Sequence, residues 1–596
     1  MRDLVLGAAA LLIALQLGFR AWGLYGSWFY LDDFQMLDDA SREGLEASFL
    51  LEPYDSQFMP IGRFLAWVVS ASGDANWPVA ASLTLFLQLA AGVACLWMLV
   101  TLFGTRWGVL APLALYLFTT ISLPGTMWWA ASLNTVPLQV AFFCSIATWV
   151  RYLRDPHPRW LAATMTVLIL ALLAYVKSLV LFPLLAFVAL AWFAEGGALA
   201  RVRQVVRRFW PAVVLGVPLG VAYLAYYTTQ VPQLTAEGSG PVGWSLAGRL
   251  ADNMLIESLA VGLLGGPWRW SDVNPPAGLV DAPDWSISLA WALLALFVAY
   301  WALCRIRTGR AWALLGGYAL ASYLLLLVTR APAVGAVAGL EYRYLADVSC
   351  AAALAVGLAT MPLLGSTQAS APRSPALLRA EIPSRVLLGA TALVCVSGMV
   401  SSWAYAGIWH RDNPGERFLK TARAALQDSV PVPFADTIVP NEVIPGYLYP
   451  FNTSKRLLPV VVDNATFPTV TPRLAVLADD GSVRSADIDV VTESLPGPKA
   501  GCGWEVTDDD VRIPMERRAF EYTYWVRIGY LGTSADVVEV TIGDQTYDAQ
   551  VRKGLHDLFL NVVDEVPYVT LGGLKSGTPL CVDQIEVGPV TAGGAW

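Results

Sequence analysis

The feature that most constrains this chain is a series of apolar stretches, most of them long enough to span bilayer hydrocarbon. They fall near 4–24, 78–104, 107–123, 135–152, 160–176, 179–194, 210–229, 285–304, 311–329, 345–363 and 386–408. About eleven membrane helices are expected. The bulk composition agrees, because 14% charged and 56% hydrophobic residues fall far from the quarter-charged balance of a soluble domain. The first stretch has no small-residue cleavage site after it and is read as an uncleaved helix. Trp22, Trp28, Phe29 and Tyr30 follow it and resemble an interfacial aromatic belt. Two short apolar pieces do not fit a crossing. Run 254–265 contains Glu257 and reads as re-entrant or interfacial, and 61–71 reads as interfacial.

Arginines set the sidedness. Arg106 follows the second helix, and Arg151, Arg154 and Arg159 the fourth. Arg201, Arg203, Arg207 and Arg208 follow the sixth, Arg305, Arg307 and Arg310 the eighth, and Arg373, Arg379 and Arg385 the tenth. All fall on one side if the N-terminus is cytoplasmic, as the positive-inside rule requires. One missed helix would scramble that agreement. The outside loops are acidic, with Asp32, Asp33, Asp38, Asp39, Glu43, Glu46, Glu52 and Asp55 in loop 25–77.

The last helix then exits outward, so the C-terminal part is expected to be extracytoplasmic. That part changes character. Alternating stretches such as VVEVTI (537–542) and FEYTYWVRI (520–528), with turn signals at Asp480-Gly481 and Gly543-Asp544, give the pattern of a β-sandwich. The expected division is a membrane domain over 1–409, a linker over 410–435 with a short helix around Phe418–Leu426, and a β-sandwich of jelly-roll type over 436–596. Of seven cysteines, five lie in apolar runs. Cys502 and Cys581 lie in the tail and are expected to form a disulfide in an oxidising compartment.

Asp32 and Asp33, in YLDDF directly after the first helix, are the sharpest chemical feature. Adjacent carboxylates repel and resist desolvation, so one of them in a cleft is a general base with a raised pKa. The plainer reading is that one caps the helix starting FQMLDDASREG. Asp38 and Asp39 read as a solvated face of that helix. Outside cations form a second group: Lys177 between two apolar runs in AYVKSLVLF, Arg330 ending the ninth helix, and Arg343 in EYRY beside Glu341. They either snorkel to the interface or hold a phosphate, Glu341 pairing with Arg343. A third group is Trp128, Trp129 and Asn134 in PGTMWWAASLN, with Gln57 and Arg63 in SQFMPIGRF. Trp faces and amides suit sugars, and an aromatic belt explains the two tryptophans equally well.

A carboxylate pair opening the first outside loop of a polytopic protein with an exterior soluble domain resembles the GT-C superfamily of integral-membrane glycosyltransferases. The likeness covers 1–409 in architecture. The outer β-domain resembles the carbohydrate-binding domain that ends the cell-wall arabinosyltransferases of mycobacteria and their relatives; this is a likeness of layout, and 410–596 carries no diagnostic motif. The resemblance implies an inverting enzyme that moves a sugar from a polyprenyl-phosphate donor to a cell-envelope glycan or glycolipid acceptor on the outer face. In it Asp33, preferred over Asp32, takes the acceptor proton. Lys177, Arg330 and Arg343 hold the donor phosphate. Trp128, Trp129, Asn134, Gln57, Arg63 and Glu341 contact substrate. No cofactor is expected. If a divalent metal were used, the Asp pair would ligate Mg²⁺ or Mn²⁺. Arg-over-Lys and Ala/Val-rich usage fits the plasma membrane of a bacterium with a GC-rich genome.

Two other classes compete. A secondary transporter needs charges near the midplane and inverted repeats, whereas the charges here cluster outside the spans. A lipid-linked polysaccharide ligase or polymerase would rely on Arg or His in its large loop. A net charge of −8 and three His argue against nucleic acid as a partner and against a His-rich metal centre.

Overall fold

The computed structural model describes residues 2–596 except 233–241, 275, 375–376, 378–381, 428–429 and 575–578, and only the backbone of 272–274. Arg379 therefore lies outside the described residues. The chain divides into two compact units, Met1–Asn413 and Pro414–Trp596.

Seven helices of the first unit are long and apolar enough to cross a membrane. They are Arg2–Tyr25, Trp77–Phe103, Trp129–Arg154, Trp210–Gln230, Asp284–Cys304, Gly309–Thr329 and Ser384–Trp409. Four shorter apolar helices, Trp107–Leu117, Pro158–Ala174, Val176–Trp192 and Val348–Thr360, occupy the remaining expected positions. At 1.5 Å per residue the last of these is only about 20 Å long. They stop early for local reasons. Leu117 is followed by a polar, Pro-containing turn, and Thr360 by Met361-Pro362.

The arginine loops gather at one end of this unit. Arg154 donates to the carbonyls of Thr101 (2.7 Å) and Leu364 (2.8 Å). Arg310 donates to Ala191 O and Arg305 to Ser370 O, and the N–H of Thr367 donates to Trp192 O. The opposite end is built differently. Its long first loop folds into helices Asp32–Glu43, Ala47–Leu51 and Pro60–Ser70. There the aromatics expected as an interface belt turn out to be core: Trp28, Phe29 and Tyr30 are buried, with Phe29 edge-on to Trp77 and Trp129. Of that expected belt, Trp22 alone is exposed. Asp38, expected on a solvated face, is also buried and pairs with Arg42 at 2.5 Å.

The segment around 254–265 is helical to Leu263 and then reverses. Gly265 has φ +88°, and a Cβ there would sit 2.6 Å from the backbone of Gly398 and Val394. Gly398 is eleven residues (409 − 398) before the end of Ser384–Trp409, about 16 Å along the helix. The reversal therefore packs against the middle of the last apolar helix.

The second unit opens with helix Pro414–Leu426 and is otherwise β-rich. Strands Val511–Gly532 and Gly554–Gly572 run antiparallel at the centre of an eight-stranded sheet, paired from Val511↔Leu571 to Gly532↔Gly554 with register shifts between Pro514 and Ala519 and between Ala519 and Tyr522. Side-chain alternation gives this sheet two faces. Tyr524, Val526, Ile528 and Tyr530 join the main core with Leu558, Leu560 and Val562. Trp525 and Phe559 point the other way and meet Ala435, Leu474 and Ile488. Ile488 belongs to the three-stranded sheet of Ala475–Leu477, Val483–Ile488 and Val590–Ala595. Both sequence-level turn signals are turns: Gly481 and Gly543 have φ +82° and +58°. Cys502 and Cys581 are disulfide-bonded with Cα atoms 4.8 Å apart. Closing a loop of that length restricts the unfolded chain by about 4 kcal/mol.

Candidate active site

Both acids of YLDDF begin helix Asp32–Glu43, yet neither caps it; the N-cap is Leu31 with no side-chain cap bond. Successive helical residues point about 100° apart, and the two carboxylates meet different surroundings. Asp33 is fully buried. Its Oδ2 accepts the Tyr30 N–H at 2.8 Å and its Oδ1 the Ala130 N–H at 2.7 Å. It ties the first loop to the first turn of helix Trp129–Arg154. Asp33, expected as the base, does not line the cavity and has both its oxygens engaged, whereas Asp32 lines it. Burial, together with the adjacent Asp32, holds its pKa well above the ordinary carboxylate value.

Asp32 faces a cavity of about 140 Å³. Its Oδ1 accepts the Trp128 indole N–H at 2.7 Å. Burial pushes its pKa up to about 6; the nearby Asp55 pushes the same way, against Arg343 and the indole hydrogen bond.

The wall of this cavity is made of helix ends. Lys177 comes from the 3₁₀ turn Val176–Val180, Arg330 from the C-cap of Gly309–Thr329, and Arg343 from the turn Tyr342–Tyr344. Each cation has a carboxylate partner. Lys177 Nζ lies 2.6 Å from Asp347 Oδ1 and donates to Tyr344 O at 2.8 Å, while the Tyr318 hydroxyl donates to the other Asp347 oxygen at 2.7 Å. Arg330 Nη1 lies 2.9 Å from Asp55 Oδ2. Arg343 Nε lies 2.5 Å from Glu341 Oε2, and its guanidinium sits 4.0 Å from the centre of the Trp128 ring. Asp55 is presented by a two-residue turn closed by Tyr54 and Gln57, in which Asp55 and Ser56 have φ 44° and 61°. That left-handed geometry tolerates Asp better than most residues.

Six of the residues singled out in the sequence line the cavity: Asp32, Gln57, Asn134, Lys177, Arg330 and Arg343. Asn134 donates to Gln57 at 2.9 Å, so the two amides act as one polar patch. Trp128 and Glu341 stand behind the wall and orient Asp32 and Arg343. Trp129 and Arg63, expected as substrate contacts, do not line the cavity. Trp129 is 1% exposed and packs on Phe29. Arg63 is buried, tied to Glu52 at 3.0 Å and stacked over Phe49 at 4.2 Å.

Sequence reasoning missed Asp347, counted Asp55 only among the loop's acids, and passed over the wall tyrosines Tyr54, Tyr175 and Tyr344. The available signal was thin: a carboxylate just after EYRY, and tyrosine spacing within EYRY itself. Among the described residues no three His, Cys, Asp or Glu side chains cluster with the geometry of a metal site.

The sequence matches no protein-family profile and no curated protein. Solved structures resemble its fold at low identity. Against ArnT from Cupriavidus metallidurans the identity is 15% and the TM-score 0.40, over 76% of this chain and 84% of that one. Against arabinosyltransferase EmbB from Mycobacterium smegmatis they are 14% and 0.36, over 98% of this chain and 64% of that one. Against the mycobacterial arabinofuranosyltransferase AftD they are 13% and 0.35, over 98% and 58%. The chain thus spans less than two thirds of the last two.

Proposed function

We propose that this protein is a membrane glycosyltransferase of the GT-C type that takes its sugar from a polyprenyl-phosphate carrier, with Asp32 as the base. One observation carries the reading: a half-buried carboxylate, held by the Trp128 indole and with a pKa pushed up to about 6, shares a cavity wall with Lys177, Arg330 and Arg343. A base with a pKa near the working pH combines availability with driving force. Asp32 removes the proton from an acceptor sugar hydroxyl as that oxygen attacks the anomeric carbon. The bond from that carbon to the phosphate oxygen breaks on the opposite face, inverting the centre. The polyprenyl phosphate leaves as an anion, so no acid is required, and the three cations stabilise its growing charge. Gln57 and Asn134 supply the amide groups that orient a sugar.

The cations are held in advance by carboxylates, so donor binding is an exchange in which phosphate competes with Asp55 for Arg330. The sidedness follows from the same reading. The arginine-rich end faces the cytoplasm, the cavity opens on the other side, and the disulfide-bearing 414–596 unit is extracytoplasmic.

The test uses the full chain in liposomes with a labelled polyprenyl-phosphate sugar donor. D32N is expected to lower transfer by about 10²–10⁴-fold. Wild-type transfer by D32N would end the proposal.

A further inference from the structure

The arginines at the end away from the cavity have no carboxylate partners among the described residues. Among the described residues, none of those between 106 and 208, or between 305 and 310, forms an ion pair. The charge is densest on helix Ala198–Arg208, sequence ALARVRQVVRR, which buries none of its residues. Arg201 caps the preceding turn through Gly196 O and Leu190 O. Arg203, Arg207 and Arg208 have no hydrogen-bond or ion-pair partner among the described residues. Together with Leu199 and Gln204 they border an open hollow.

This helix also has an apolar side with nothing on it. Leu199 is 82% exposed, and Val202 and Val206 are 45% and 43% exposed. At about 100° per residue these three fall within an arc of about 60°, and Arg203 and Arg207 fall just beside it. A basic, strongly amphipathic helix of this kind lies flat in a membrane interface. Its attachment points leave little alternative. It runs through the buried Phe209 straight into Trp210–Gln230, and it follows Val176–Trp192 by a short turn. Both neighbours are apolar helices of the membrane unit, so both ends of the amphipathic helix are pinned at the bilayer surface.

A solvated cationic surface would satisfy the arginines and leave the apolar arc in water. A soluble anion would do the same. Only a lipid covers the arc with acyl chain while offering phosphate oxygens to guanidinium groups alongside, a geometry that suits Arg bidentately. We propose that helix Ala198–Arg208 is a docking surface for anionic phospholipid headgroups, contacted by Arg203 and Arg207 beside the apolar arc, with Arg208 adding charge at the end of the helix, and anchored by Leu199, Val202 and Val206. The inference stands apart from the glycosyl-transfer reading.

The experiment places the full-length protein in nanodiscs of phosphatidylcholine mixed with phosphatidylglycerol and measures, by native mass spectrometry of the released protein, which lipid stays bound. The wild type is expected to retain phosphatidylglycerol in preference to phosphatidylcholine. The triple variant R203Q/R207Q/R208Q is expected to lose that preference by about tenfold or more, from roughly 1 kcal/mol per basic side chain at an anionic surface. R203K/R207K/R208K, which keeps the charge, is expected to keep most of it. R484Q/R512Q/R517Q, which removes the same charge from the β-rich unit, is expected to change nothing. No preference in the wild type would overturn the proposal and leave the surface to an aqueous partner. Full preference in the Gln variant, or equal loss in the 484/512/517 control or in the Lys variant, would overturn it as well. All variants keep the proposed base, so sugar transfer reports separately on the other reading.

Discussion

The two ends of the membrane unit treat positive charge in opposite ways. At the cavity end each of Arg63, Lys177, Arg330 and Arg343 is matched to a carboxylate, and the cations are largely withdrawn from solvent. At the other end a larger number of arginines form no ion pair among the described residues, and several simply close helix ends by donating to carbonyls. The contrast follows from burial. A cation such as Lys177, 6% exposed, is buried at a desolvation cost that an accompanying counter-charge offsets. An exposed arginine needs none and is free to attract an anion from outside. Positive charge at one end is therefore paired and part of the architecture, and at the other it is an open surface.

Four measurements would break or sharpen this contrast. The largest effect is expected at Asp32, where D32N should abolish most transfer, by about 10²–10⁴-fold, with the fold intact by circular dichroism. Next is the buried pair. D347N leaves Lys177 an uncompensated charge, with Tyr318 also short of its acceptor, and should cost about 3–5 kcal/mol; thermal unfolding in detergent would read this as a clear fall in Tm. If D347N were as stable as the wild type, the paired end would differ from the other only in appearance.

The third concerns pH. Asp32 titrates in the folded chain near 6, above its unfolded value. The folded state therefore binds more protons than the unfolded state between about pH 4 and 6. This group's contribution to stability falls as pH rises through that window, while activity, which needs the ionised form, rises. W128F removes a hydrogen bond that favours the charged form, so the acidic limb of the rate profile should move to higher pH. An unmoved limb would separate the indole from the base. The smallest effect is expected at the opposite end. R207Q should shift unfolding by no more than about 0.5 kcal/mol, because it breaks no hydrogen bond or ion pair among the described residues.

The gross layout was legible because it depends on two short-range patterns. Apolar runs mark helices, and arginines in alternate loops, such as Arg154 and Arg310, mark an end whatever the details of packing. The β-rich tail was readable in the same way, from alternation in FEYTYWVRI and from glycines in turns. What was hidden are decisions made at long range. Nothing in YLDDF tells which acid faces the cavity, since that depends on where Trp128 and Ala130 arrive. The partners of the cations were equally invisible: Lys177 meets Asp347 across 170 positions and Arg330 meets Asp55 across 275. Tryptophans misled in a different way. Trp129 and Trp28 have the composition of a membrane belt, yet both fill the space around Phe29.

The tie made by Asp33 also orders events during synthesis. Its second oxygen is satisfied by the Ala130 N–H, ninety-seven residues downstream, so the first long loop cannot settle when it emerges. It must wait, with a carboxyl group still hydrated, until the helix beginning at Trp129 has been threaded and docked. The cavity is thus assembled from distant parts of the membrane unit, since its wall also needs Lys177, Arg330 and Arg343, and a ribosome stalled before residue 130 would leave a nascent chain with no site at all.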